Sequence, residues 1–172
     1  MHNISLTAKR FYEKGKADED FVMESIINTI GGSVTKAKRK EDVNEHIDLW
    51  WKTPKNVLVG IDVKGLNKRK RSDTSFSNVH WLELQNVKGK DGWLKGKSDY
   101  IAFRTIDKIM FVKRHRLLEF ALESIKNKEV VYDTPKECYV PYKRLKYGRD
   151  DLSLMALDDD LESIADFCIV CK

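Results

Sequence analysis

Asp62 and Lys64 stand two residues apart at the end of the apolar run VLVGI, Val57 to Ile61. β-Branched residues at nearly every position of that run suggest a strand buried on both faces. An acid and a lysine are out of character there. Strand side chains alternate faces, so Leu58, Gly60, Asp62 and Lys64 share one side and Val57, Val59, Ile61 and Val63 the other. Fourteen residues before Asp62, Asp48 lies between apolar neighbours in HIDLWW. The short KTPKN turn between the two runs predicts an antiparallel pair that brings Asp48 and Asp62 together. Two carboxylates so close repel unless a cation lies between them. An oxygen donor set with little His or Cys nearby favours a hard ion, Mg²⁺ or Mn²⁺. Lys64 beside them offers positive charge to a phosphate or to an attacking water. The competing reading is an ion pair that only ties two strands together. Buried pairs are weak stabilisers because desolvation offsets much of the Coulomb attraction, and a third charge weakens that account further.

The elements that must hold these residues follow from periodicity. DEDFVMESIINTI reads as an amphipathic helix, with Val22, Ile26 and Ile30 in one stripe and Met23 and Ile27 alongside; Gly31 and Gly32 end it. SVTKAK and EHIDLWW read as strands joined by a polar loop, RKEDVN, and NVLVGIDVK as a third strand. VHWLELQNV and SDYIAFR are further strands linked by the Gly-rich KGKDGWLKGK, and IDKIMFVK adds another. RHRLLEFALESIKNK predicts a second helix that buries Leu117, Leu118, Ala121, Leu122 and Ile125. KECYVPYKRL predicts a short strand and LSLMALDDDLESIAD a short helix. No repeat or low-complexity linker divides the chain. The economical reading is one α/β domain over residues 1–172, with a core at about 17–125 and a C-terminal extension at 126–172.

Composition narrows the class. A chain of 172 residues with 41% hydrophobic content is long enough for a buried core. No apolar run spans a bilayer and the first residues lack the apolar centre of a signal peptide, so a cytosolic protein is expected. Net charge is only +5, but positive residues cluster in KAKRK, NKRKR and KRHR while acids gather near the C-terminus. Such clusters suit a polyanion such as nucleic acid. Cys138, Cys168 and Cys171 are too few and too odd in number for a disulfide framework, and the terminal pair in CIVC, which lacks a second ligand pair for zinc, reads as buried free thiols.

The order helix with an acid, HID, then IDVK, then strand and helix resembles the PD-(D/E)xK nuclease superfamily over roughly Ala17 to Glu123. The archaeal-type Holliday junction resolvases and small phage-type endonucleases are nearest in layout. The resemblance implies a restriction-endonuclease-like core, a central mixed sheet flanked by helices. It also implies a Mg²⁺- or Mn²⁺-dependent endonuclease acting on DNA, branched or junction DNA included, in a bacterial or virus-infected cell. Carried over by position, Glu19, Asp48, Asp62 and the Val63 carbonyl are the expected metal ligands, and Lys64 the catalytic lysine. Asp18, Asp20 and Glu24 compete with Glu19 on the same helix. Asp18 is better suited to an N-cap and Glu24 to an outward position. Many members act as dimers, so a homodimer is a further implication.

By parity Trp81, Glu83 and Gln85 share a strand face, which makes Glu83 and Gln85 candidates to face the same site. Lys68, Arg69, Lys70 and Arg71 follow the catalytic strand directly and are the expected grip on backbone phosphates. One of Trp50 and Trp51 must face the core, and the other is available for stacking. Two other functions fit the composition: a nucleic-acid-binding module on a nuclease fold that no longer cuts, and an interaction protein that docks a basic partner on its acidic C-terminal segment.

Overall fold

The computed structural model describes residues 6–67, 75–132, 137–144 and 148–171, with side chains from residue 13 onward. The first helix, α1, runs Leu6–Thr29, well before the expected start at Asp18. It ends where Gly31 and Gly32 both adopt φ of 88°, a conformation open to glycine without steric cost. Strand β1 (Ser33–Lys36) follows. The expected loop RKEDVN is a helix, α2 (Arg39–Glu45). Its start is closed by Glu41, whose side chain accepts the Lys38 N–H at 2.7 Å while its own N–H donates to the Lys38 carbonyl at 2.8 Å, a start that a run of charged residues hides from a periodicity reading.

Strands β2 (Leu49–Lys52), β3 (Leu58–Lys64), β4 (Val79–Gln85), β5 (Tyr100–Arg104) and β6 (Lys108–Lys113) come next. After them come helix α3 (Arg114–Ile125), strands β7 (Tyr142–Arg144) and β8 (Asp151–Leu157), helix α4 (Asp158–Ser163) and strand β9 (Phe167–Val170). LSLMAL is therefore mostly strand where a helix was expected, because pairing with β4 overrides its helical propensity.

These elements form an α/β fold with a six-stranded mixed sheet, ordered β1-β2-β3-β5-β6-β9, and a separate three-stranded sheet, β4-β8-β7. Only the β3–β5 pairing is parallel among those described. It arises because the chain leaves the large sheet at the end of β3, builds β4 in the small one, and returns to start β5. The large sheet is covered on both faces. On one, Val22 and Ile26 of α1 pack against Leu49, Ile61, Ala102, Ile109 and Phe111. On the other, Ile101, Phe103, Met110 and Val112 pack against Leu82, Leu84 and Leu154 of the small sheet and Leu117 and Ala121 of α3. Strand alternation thus sends Ile61 to the helix and Asp62 and Lys64 to the small sheet.

Some packing differs from expectation. Leu122 is 49% exposed and Ile27 42%, so each buried stripe is narrower than its pattern suggests. The terminal thiols are not buried: Cys168 is exposed and Cys171 half-buried, because β9 is an edge strand whose inward residue is Ile169. No helix among the described residues is long and apolar enough to cross a membrane.

Candidate active site

Strands β2 and β3 are antiparallel with Leu49 opposite Ile61, and the ladder runs one residue further: the Asp48 N–H donates to the Ile61 carbonyl at 2.9 Å. Asp48 Oδ2 in turn accepts the Val63 N–H at 2.7 Å, which fixes this carboxylate against the backbone of β3. Asp62 is 2% exposed. Lys64 Nζ lies 2.6 Å from its Oδ1, while Oδ2 is buried with no hydrogen-bond partner. On its other side the Lys64 ammonium sits 4.4 Å from the centre of the Trp93 ring, a favourable cation–π distance.

Burial dominates the electrostatics. It pushes the Asp62 carboxyl up to about 8; Lys64 opposes the rise and the charge of Asp48 adds to it. A bonded lysine at 2.6 Å normally lowers a carboxylate, so at Asp62 desolvation outweighs the ion pair. Metal-free, this group holds its proton near neutral pH.

The other expected residues are placed as follows. Glu19 approaches from the α1 side of the large sheet. Its Oε2 is 3.3 Å from Lys36 Nζ, which Asp20 shares at 2.7 Å. Burial raises the Glu19 carboxyl, and the charge of Asp48 adds to that rise. Asp18 is no N-cap: it lies in the body of α1, 5% exposed, with Oδ1 accepting from Arg104 Nη1 at 2.6 Å. Glu24 is exposed. Glu83 lies on the face of β4 opposite Leu82 and Leu84, which pack toward the large sheet, yet within electrostatic reach of Lys64. Burial raises it, Lys64 opposes the rise, and its carboxylate accepts the Trp93 backbone N–H. Gly92 makes that approach possible, since a Cβ there would collide with the Glu83 carbonyl group. Gln85 is engaged elsewhere, donating from Nε2 to the Asp150 carbonyl at 2.5 Å. Trp51 is buried and donates from Nε1 to the Gly31 carbonyl at 3.0 Å, while half-buried Trp50 lies over Gly60. Lys68, Arg69, Lys70 and Arg71 lie outside the described residues.

Three participants were not legible. Trp93 was hidden in a Gly-rich linker, where only the flanking glycines of GWLKG signal a fixed turn. Asp42 and His46 lie in and just after α2, where a loop and the start of a strand, respectively, were expected. Burial raises Asp42, with Asp48 adding to it, and burial lowers His46, with Lys64 adding to it.

Asp48 and Asp62 with the orphaned Oδ2 have the donor chemistry of a hard-ion site. Among the described residues, no group of three or more His, Cys, Asp or Glu side chains converges closely enough to hold an ion as they stand. The chain matches no family model, no curated protein and no solved structure.

Proposed function

We propose that this protein is a metal-dependent endonuclease that hydrolyses phosphodiester bonds in DNA, built on the PD-(D/E)xK plan. The observation that carries the reading is Asp62. It is a fully buried carboxyl held up to about 8, with one oxygen on Lys64 and the other beside Asp48, with which the protonated carboxyl shares a hydrogen bond; that oxygen has no donor once Asp62 is ionised. Ionising such a group in a core is costly, and a bound cation would offset that charge.

Asp48, Asp62 and the Val63 carbonyl would hold Mg²⁺ or Mn²⁺, with Glu19 or Glu83 as the further carboxylate. When bound, the ion supplies Lewis-acid polarisation of the phosphodiester and activation of water. The chain's own residues do the rest. Val63 N–H fixes Asp48, so this carboxylate is presented without reorganisation. Lys64, braced between Asp62 and the Trp93 face, orients the attacking water and offsets charge growing on the phosphate. Glu83, anchored by the Trp93 backbone N–H, lies near enough to Lys64 to influence where that ammonium rests.

A second reading is a non-catalytic nucleic-acid-binding module, favoured by the ion pairs that now occupy Asp62 and Glu19. Incubating the protein with labelled duplex, junction, flap and single-stranded DNA in Mg²⁺, beside the Asp62→Asn variant, separates the two. The nuclease reading expects cleavage by the wild type alone. Binding without cleavage of any substrate, with no heat of Mg²⁺ binding, would establish the second.

A further inference from the structure

Ser77 Oγ, His80 Nδ1, Arg104 Nε and Asp158 Oδ1 are buried without hydrogen-bond partners, and all four residues line one cavity of about 200 Å³. Buried polar groups are nearly always satisfied, so this concentration marks a place built to receive something polar. The cavity exceeds the space one water needs on the order of tenfold.

Its polar groups are held rigidly. Arg104 is fixed through Nη1 to Asp18 and by the Phe21 ring 3.8 Å from its guanidinium carbon, which leaves Nε–H buried beside the cavity without an acceptor. His80 is 2% exposed, with its ring centre 4.7 Å from that of Phe103. Its Nε2 lies 3.5 Å from Asp158 Oδ1. Burial pushes this imidazole down to about 4, so the contact is not an ion pair. Burial lifts Asp158 only to about 6, so above that pH its carboxylate keeps its charge for another donor. Phe76 and Asn78 line the cavity too, and the Ser77 N–H donates to the Asn67 carbonyl at 3.0 Å, tying two of its edges together. Phe103 stands behind His80, outside the lining, and links it to the candidate active site: its other neighbour, 6.3 Å between ring centres, is the Trp93 that carries Lys64.

A phosphate does not fit this lining. Asp158 and Asp107 would repel it, and the charge of Arg104 is already matched by Asp18. A planar ring with both donors and acceptors on its edge does fit. We infer that the cavity binds a nucleobase bearing an exocyclic amino group, unstacked from its strand. The amino or ring N–H groups donate to Asp158, Arg104 Nε donates to a ring nitrogen or carbonyl, and Ser77 and His80 complete the edge. Thymine offers a single ring N–H between two carbonyl oxygens that repel a carboxylate, so it binds worst. That this base adjoins the phosphate being cut rests on the nuclease reading; the binding itself rests on the cavity alone.

The test is a calorimetric titration with dGMP, dAMP, dCMP and dTMP in EDTA, where cleavage cannot occur. The best amino-bearing nucleotide should bind at least about tenfold tighter than dTMP. Asp158→Ala should weaken it by about tenfold and erase the difference from dTMP. Ser77→Ala, a milder change, should weaken it a few-fold with an unchanged melting temperature. Equal binding of all four nucleotides, no binding at millimolar concentration, or indifference to both substitutions would overturn the proposal, and the cavity would then hold only water. Asp62→Asn should bind nucleotide as the wild type does. Cleavage without base binding would therefore sink the pocket and spare the nuclease, whereas selective base binding without cleavage would uphold the pocket and remove only its place beside a cut.

Discussion

Lys64 is constrained from two directions, by the Asp62 carboxyl at 2.6 Å and the Trp93 ring at 4.4 Å, so its long side chain has little freedom left to lose on meeting a phosphate. On the nuclease reading, Lys64→Ala or Asp62→Asn should lower cleavage by about 10²-fold or more while circular dichroism and DNA binding stay near wild type. Cleavage within a few-fold of wild type by either variant would exclude the assignment. Asp62 also makes a prediction that needs no substrate. Its folded-state value near 8 lies above the ordinary 3.8, so the folded chain binds this proton more tightly than the unfolded chain does. The stability this contributes is full below about pH 4 and is lost as pH rises through about 8. Glu19 and Glu83 are shifted in the same direction by burial. In EDTA the melting temperature should therefore fall from about pH 5 to pH 9, and Asp62→Asn should flatten that fall. Added Mg²⁺ should restore stability most at the alkaline end. A profile identical in wild type and Asp62→Asn would show that Asp62 is not the group responsible.

At the level of elements, α1 is locked to the end of β3 through Asp18. A Cβ at Gly65 would overlap the Asp18 carboxylate, and Asp18 cannot swing away without abandoning Arg104. Gly65→Ala should cost about 1–3 kcal/mol by thermal or denaturant unfolding, as overpacking usually does; an unchanged midpoint would mean that the helix shifts freely over the strand. The same helix supplies a comparison of acids. On the nuclease reading, Glu19→Gln should weaken metal-dependent activity and be partly rescued by more Mg²⁺ or by Mn²⁺, while exposed Glu24→Gln does little. The reverse ranking in parallel metal titrations would move the role to Glu24. Much of this arrangement was legible from residue types. Alternation on VLVGIDVK and the short KTPKN turn predicted which residues of β3 share a side and which strand lies next to it. What parity cannot say is which sheet a strand joins. VHWLELQ shows its alternation plainly, yet nothing local reveals that it leaves the large sheet for the small one. Asp18 was misread because a single acid before an apolar stripe resembles a cap, and its true partner, Arg104, lies 86 residues away. In the same way Trp93 reaches Lys64 only through the return of the chain from β4, a relation set by tertiary folding.

Across the whole molecule the net charge is a modest +5, so on the nuclease reading affinity for DNA should come from local clusters rather than from the overall field. Replacing Lys68, Arg69, Lys70 and Arg71 by Ser should weaken binding to all sequences alike. The slope of log affinity against log salt should shrink by about 0.9 for each phosphate no longer neutralised. An unchanged slope would mean that those residues are only solvated surface. The path of the chain carries a different consequence. It lays down β1 to β3 in the large sheet, crosses to the small one for β4, returns for β5 and β6, crosses again for β7 and β8, and comes back for β9. Neither sheet is a contiguous stretch of sequence, so neither can melt alone without dragging strands of the other out of register. The two halves of the interior should therefore share one denaturation event, and refolding should be slow for the chain's size because its pairings join distant segments. Trp51 reports on the helix-covered face and Trp93 on the face between the sheets, so variants retaining only one of these tryptophans should record the same midpoint from opposite sides of the protein.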